Sequence, residues 1–273
     1  MLKARVLTAI VMLAVLSVAL TAFNTQAWIA FIVLIAALAG WEWGGLAGWS
    51  MPARIGYGAG LGAVLGAVAV LSGLAEGRAD TPILLAVLLV SIVFWLALAF
   101  PWLARRWTLG SAARAALVGA VVVVPTAVAM VFLREVSVGL LLAAMAVVWV
   151  ADIAAYFSGR AFGRRKLAPA ISPGKSWEGV YGAIVAVEVY GLVLAIVSGI
   201  ELSAGVLITG AVGLAVLTAV SVIGDLFESL LKRQAGIKDS SGLLPGHGGI
   251  LDRIDSLTST LPMVACAVLV LSP

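Results

Sequence analysis

Apolar runs of about twenty residues, each ended by a short cluster of glycine, proline or charge, recur along the whole chain. A helix needs roughly 20 apolar residues to cross a hydrocarbon core, and nine runs qualify: 6–22, 27–47, 55–75, 81–103, 115–133, 137–159, 178–199, 203–231 and 256–271. The pattern predicts an all-α polytopic membrane protein of about nine transmembrane helices. The connecting loops are short and leave no room for a separate soluble domain. Lys3 and Arg5 before the first run imitate a signal peptide, but no clean small-x-small cleavage site follows and eight further runs do, so a retained helix is expected.

Composition agrees: 63% of residues are hydrophobic and 11% charged, against about 45–50% and about 25% in soluble proteins. The single cysteine, Cys266, excludes an intrachain disulfide. Charge adds orientation. If the runs alternate sides, 15 of the 17 bases fall at the N-terminus and in the loops after runs 2, 4, 6 and 8; Arg78 and Arg134 lie opposite. The positive-inside rule places the basic face and the N-terminus in the cytoplasm. Trp28, Trp41, Trp43, Trp49, Trp95, Trp102, Trp107, Trp149 and Trp177 lie mostly near run ends, where an interfacial belt is expected.

The acids divide into two groups. Glu76, Asp80, Glu135 and Glu201 sit in or beside outer loops and read as solvated charges. Glu42, Asp152, Glu188, Asp225 and Glu228 lie within or at the ends of apolar runs, where an ionised acid costs at least about 2.5–3.5 kcal/mol and so faces a cavity, a metal or a partner. Glu42 and Glu188 receive no role. Asp225, Glu228 and Lys232 fall on one helical face, as do Asp252 and Asp255 if "ILDRID" opens the last helix. Salt bridges to Arg233 or Arg253 are the structural alternative for Asp225 and Glu228. The acids at 152, 225–228 and 252–255 flank two loops, 160–177 and 232–255, that hold nine of the bases. Acids that gather a divalent metal beside bases that neutralise phosphate suit phosphoryl or nucleotidyl transfer. In "PGHGG", Gly248 and Gly249 allow close backbone approach to an anion. "GKS" at 174–176 is not a P-loop, because Pro169 stands where that pattern needs glycine. Ser172, Lys175 and Ser176 read instead as a loop closing into a capped helix start with N–H groups free for an anion.

"SLLKRQAGIKDSSGLLPGHGGILDRID", Ser229 to Asp255, resembles the signature of the phosphatidate cytidylyltransferase (CDP-diacylglycerol synthase) family. Lys232, Arg233, Lys238, Asp239, His247, Gly248, Gly249, Asp252, Arg253 and Asp255 stand at signature positions. "DIAAYFSGRAFGRRKLAPAISPGKSWEG", Asp152 to Gly179, is similar to a second block of that family, with Gly174 where lysine is common and Ser176 where threonine is common. The resemblance covers the C-terminal half, so 136–273 is expected to be catalytic; 1–135 receives no assignment. It implies CTP plus phosphatidic acid giving CDP-diacylglycerol and pyrophosphate, with Mg²⁺ held by Asp225 and Asp252 and a second, monovalent cation such as K⁺. It also implies a multi-pass protein of the inner (plasma) membrane whose site faces the cytoplasm among membrane lipids. A homodimer is common for such an architecture, though nothing in the chain demands one, and no nucleic-acid partner is expected.

Chemistry supplies a mechanism beside the resemblance. The attacking phosphate of the lipid, with a second pKa near 6, is mostly dianionic at neutral pH, so no general base is needed. The difficulty is bringing two anions together, which the metal with Lys175, Lys232, Arg233, Lys238 and Arg253 would relieve. Asp152, Glu228 and Asp255 join Ser172, Lys175 and Ser176 as candidate substrate-binding residues. His247 is expected to donate a hydrogen bond to nucleotide phosphate or to hold the turn, rather than to act as base. A cation- or proton-coupled transporter is the competing reading; against it, the charges gather at one face rather than the midplane, and no inverted repeat is visible.

Overall fold

The computed structural model describes residues 2–271. Among them nine helices are long and apolar enough to cross a membrane: α1 Leu2–Ala22, α2 Thr25–Leu46, α3 Met51–Leu71, α4 Thr81–Arg105, α5 Ala112–Val136, α6 Val138–Phe162, α7 Trp177–Val197, α8 Ala204–Gln234 and α9 Leu251–Leu271. The protein is therefore a multi-pass, all-α membrane protein, as the runs of apolar residues predict. The largest boundary difference is at α9, which begins at Leu251 rather than 256. Its polar first turn is satisfied by protein groups, and hydropathy cannot register that.

Short polar side chains start the helices. Asn24, Asp80, Ser111, Ser176 and Ser203 each accept a hydrogen bond from the backbone N–H three residues on, satisfying a donor that the helix itself cannot. α5 is the central post, packed against α2, α3, α4, α6 and α9. α5 and α9 each contain an internal proline, Pro125 and Pro262. Pro262 has no N–H for the carbonyl of Thr258. The hydroxyl of Thr126, already donating to Val122 O at 2.7 Å, lies 3.3 Å from that carbonyl. In lipid, a neighbouring helix must make good such a loss.

α4 carries a one-turn π segment over Phe94–Leu98. The extra residue in that turn brings Phe94, Trp95 and Trp102 edge-on around Phe227 of α8, with ring centroids 5.4–5.7 Å away. The expectation of a tryptophan belt is thus corrected for Trp28, Trp43, Trp95 and Trp102, which are buried in the core. Trp43, for example, donates to Ala115 O at 2.9 Å. A span end that faces another helix is not an interface.

The loops sort into two ends. At one, Thr8 donates to Pro245 O, Gln234 to Arg106 O and Trp107 O, and the backbone N–H groups of Arg164 and Arg165 to Glu178. At the other, Thr25 donates to Glu135, Arg134 pairs with Glu135 at 2.7 Å, and Arg134 also reaches Phe23 O. Glu135 is therefore a half-buried tie between α1–α2 and α5, not a solvated charge. The loop at 160–177 contains a small antiparallel hairpin, β1 Lys166–Ala168 and β2 Ser172–Ser176, with Lys166 opposite Ser176 and Ala168 opposite Ser172. It leads directly into α7 and delivers Lys175 and Ser176 to the helix mouth.

Candidate active site

Two cavities with several charged side chains on their walls open at the end where the hairpin and the 235–250 loop meet. The first, of about 410 Å³, lies between α6, α7, α8 and the hairpin; Asp152, Ser172, Lys175, Ser176 and Asp225 are on its wall. α6 and α7 approach closely here because glycines face them. A Cβ on Gly182 would come within 2.0 Å of Ser158 Oγ. Within the cavity Lys175 Nζ lies 2.6 Å from Asp225 Oδ2, and Ser229 Oγ donates to Asp225 Oδ1 at 3.1 Å. Asp152 lines the same cavity as Asp225 and Lys175. Ser176 is buried, and its hydroxyl accepts from Gly179 N at 3.2 Å, forming the expected cap.

The second cavity, of about 500 Å³, is polar and lined by Arg5, Lys238, Asp239, His247, Gly248 and Arg253 among others. Its wall is a tight turn: Leu244 N donates to Gly248 O and His247 N to Leu244 O, both at 2.8 Å. Gly246 and Gly248 have φ of 77° and 80°, a region that side-chain-bearing residues rarely adopt. Among the described residues no hydrogen-bond partner reaches the buried Nδ1 of His247.

Asp252, at the first turn of α9, ties this turn together. Its Oδ1 accepts from Lys232 Nζ at 2.5 Å; its Oδ2 accepts from Ser240 N, Ser240 Oγ and Gly249 N, each at 2.8 Å. Lys232 also pairs with the buried Glu228 at 3.2 Å. Asp225 and Asp252, expected to act together, thus each hold a lysine ammonium: Asp225 on the cavity wall, Asp252 turned into the loop. The alternative partners considered for Asp225 and Glu228, Arg233 and Arg253, are replaced by Lys175 and Lys232. Arg233 is exposed and donates to Ile237 O, outside both cavities. Asp255 is half-buried, with Ser256 N donating to its Oδ1 at 2.8 Å. Gly249 is walled in, since a Cβ there would meet Ser240 Oγ at 2.1 Å and Glu42 Oε1 at 2.3 Å.

Sequence reasoning missed Arg5, Ser240, Ser241 and Glu42. Arg5 lines the polar cavity, and Glu42, fully buried, accepts from the 240–251 segment. Glu42 had a usable signal: an acid in an apolar run with no base within one helical turn on its own helix.

Cationic side chains line both cavities, Lys175 in the first and Arg5, Lys238 and Arg253 in the second, beside the carboxylates of Asp152, Asp225 and Asp239, an arrangement that suits nucleotidyl transfer. Residues 3–271 match the family model described as "Cytidylyltransferase family", and the chain belongs to that family. It is similar to the phosphatidate cytidylyltransferase of Pseudomonas aeruginosa, 42% identical over 97% of this chain and 96% of that protein. It is also similar to the phosphatidate cytidylyltransferases of Haemophilus influenzae, 56% identical over 45% of this chain and 43% of that protein, and of Brucella suis, 49% identical over 44% and 43%. The protein is a nucleotidyltransferase, and the transporter alternative finds no support among these relatives.

Proposed function

We propose that this protein converts CTP and phosphatidic acid to CDP-diacylglycerol and pyrophosphate at the cytoplasmic face of the inner membrane. The observation that carries this is the adjacency of the two cavities: Asp225 on α8 lines one, Arg253 on α9 lines the other, and α8 and α9 pack against each other. The cavity between α6, α7 and α8 receives the phosphate of the lipid, and the polar cavity receives the triphosphate from water. The lipid phosphate oxygen attacks the α-phosphorus of CTP. The new P–O bond forms as the bond to the β-phosphate oxygen breaks, and the electron pair leaves on pyrophosphate. Lys175 can exchange Asp225 for an incoming phosphate, while Lys238, Arg253 and Arg5 draw in and hold the triphosphate, and His247 donates to it. Asp239 shapes the polar wall.

Among the described residues no three carboxylates or imidazoles gather into a ready-made metal cage, so a hard divalent cation would be held here by protein carboxylate together with the substrates' own phosphates. Asp225 presents carboxylate oxygen on the cavity wall, Asp152 lines the same wall, and a lysine ammonium occupies Asp225. Mg²⁺ is the natural choice for carboxylates plus phosphates: Asp225 would hold it on the cavity wall, and Asp252 would add its carboxylate from the loop base. When bound, the ion neutralises charge that develops on the phosphates. Lys232, Glu228 and Asp252 keep the loop base rigid, and Gly248 and Gly249 let its backbone approach the nucleotide. Incorporation of radiolabelled CTP into a chloroform-soluble product by the purified chain tests the proposal. Label that stays in the aqueous phase with phosphatidate present would refute it.

A further inference from the structure

Glu42 lies near the end of α2, in the half of the chain to which no motif assigned a role. Its side chain is fully buried, and among the described residues no lysine or arginine lies within ion-pair distance of it. Donors surround it instead. Oε1 accepts from Ser241 Oγ at 2.6 Å and Ile250 N at 2.9 Å; Oε2 accepts from Leu251 N at 2.7 Å. Ser240 Oγ stands between Glu42 Oε2 at 3.1 Å and Asp252 Oδ2 at 2.8 Å, with one proton for both. Two of these donors are backbone N–H groups at the start of α9, where a helix has no carbonyl to offer them and where negative charge is favoured. All the donors lie in the chain that encloses the polar cavity, and Gly249 has no Cβ because Glu42 occupies that space.

We propose that Glu42 is a positioning residue for nucleotidyl transfer: through it, α2 fixes the backbone from Ser240 to Leu251 and so holds the His247 turn and Asp252 in the shape that receives the nucleotide phosphates. This rests on the function proposed above. A carboxylate is required because all its neighbours donate; a glutamine of the same shape would turn an N–H₂ toward a backbone N–H that has no other acceptor.

The test compares wild type, Glu42→Gln and Ser241→Ala as full chains in lipid nanodiscs, by steady-state kinetics and by trypsin cleavage after Lys238. For Glu42→Gln the expected result is a rise in KM for CTP and a fall of about 100-fold in kcat/KM for CTP, the cost of an ångström-scale misplacement. KM for phosphatidate should stay unchanged, and cleavage after Lys238 should be faster. Loss of active protein with both KM values at wild-type level, or unchanged cleavage, would overturn the proposal. If Glu42→Gln does not fold, Ser241→Ala decides: it removes one donor and leaves the carboxylate, so the same selective rise in KM for CTP is expected at about tenfold, and kinetics like wild type would refute the role. Wild type that fails to use CTP would refute the proposed function, whereas cleavage after Lys238 would still report on Glu42.

Discussion

Replacing Asp225 and Asp252 by asparagine, one at a time, separates two kinds of carboxylate that look alike in the sequence. Asp252 is 5% exposed and its partner Lys232 10% exposed. An asparagine at 252 can keep its oxygen toward Ser240 N, Ser240 Oγ and Gly249 N, but then its N–H₂ faces the Lys232 ammonium. The variant loses one buried, charge-assisted hydrogen bond, worth about 1.5–3 kcal/mol, and Glu228 at 3.2 Å compensates only in part. A loss of about 2 kcal/mol of stability is expected. Asp225 and Lys175 are each 26% exposed, and water can replace their contact, so Asp225→Asn should cost less than about 1 kcal/mol. Both variants should lose most of their turnover, and the double variant should be little worse than either single one, because groups that act as a unit fail together. Chemical unfolding in mixed micelles alongside CTP incorporation measures both quantities. Equal stability losses, or near-wild-type turnover in Asp225→Asn, would refute the reasoning.

Far from the cavities, Arg134→Met should strand the half-buried Glu135 and lower stability by about 1–3 kcal/mol while leaving both KM values unchanged, as unfolding and kinetics together will show. In a chain whose Cys266 is replaced by alanine, cysteine at 78 should react with an impermeant thiol reagent added to intact cells and cysteine at 164 should not; labelling at 164 would invert the orientation. His247→Gln should lower the rate yet keep the acidic limb of kcat/KM. That limb should move to higher pH with a phosphonate analogue of phosphatidate, whose second pKa is higher; a limb that vanishes in His247→Gln would make the histidine a base.

The membrane spans were legible because length and hydropathy alone decide whether a segment crosses. Asp152 and Asp225 stand out as candidates because charge within an apolar run is costly, and Asp252 stands out through the signature that the 229–255 segment resembles. Partners were not legible. Nothing in the spacing tells that Lys175 reaches Asp225 from the hairpin, or that Asp252 turns inward to Lys232 and Ser240, because these contacts depend on how separate helices pack. Glu42 lies 198 positions from Ser240 along the chain, and hydropathy places it only in a span. The buried tryptophans fail the belt expectation for a related reason: distance from a helix end says nothing about which face meets lipid.

α8 has 31 residues, about 46 Å of helix at 1.5 Å per residue, against about 30 Å of hydrocarbon. Asp225 lies about 32 Å from its start, so with that start at one edge of the hydrocarbon the helix would act as a ruler that carries Asp225 to the level of the opposite phosphates, with Lys232 and Arg233 beyond it. Phe94, Trp95 and Trp102 grip Phe227 and keep the ruler from sliding. On the function proposed above, bilayer thickness would then be a parameter of the reaction: a thicker leaflet would raise the lipid phosphates relative to Asp225 and a thinner one would lower them, giving the acyl chains of the surrounding membrane a hold on the rate.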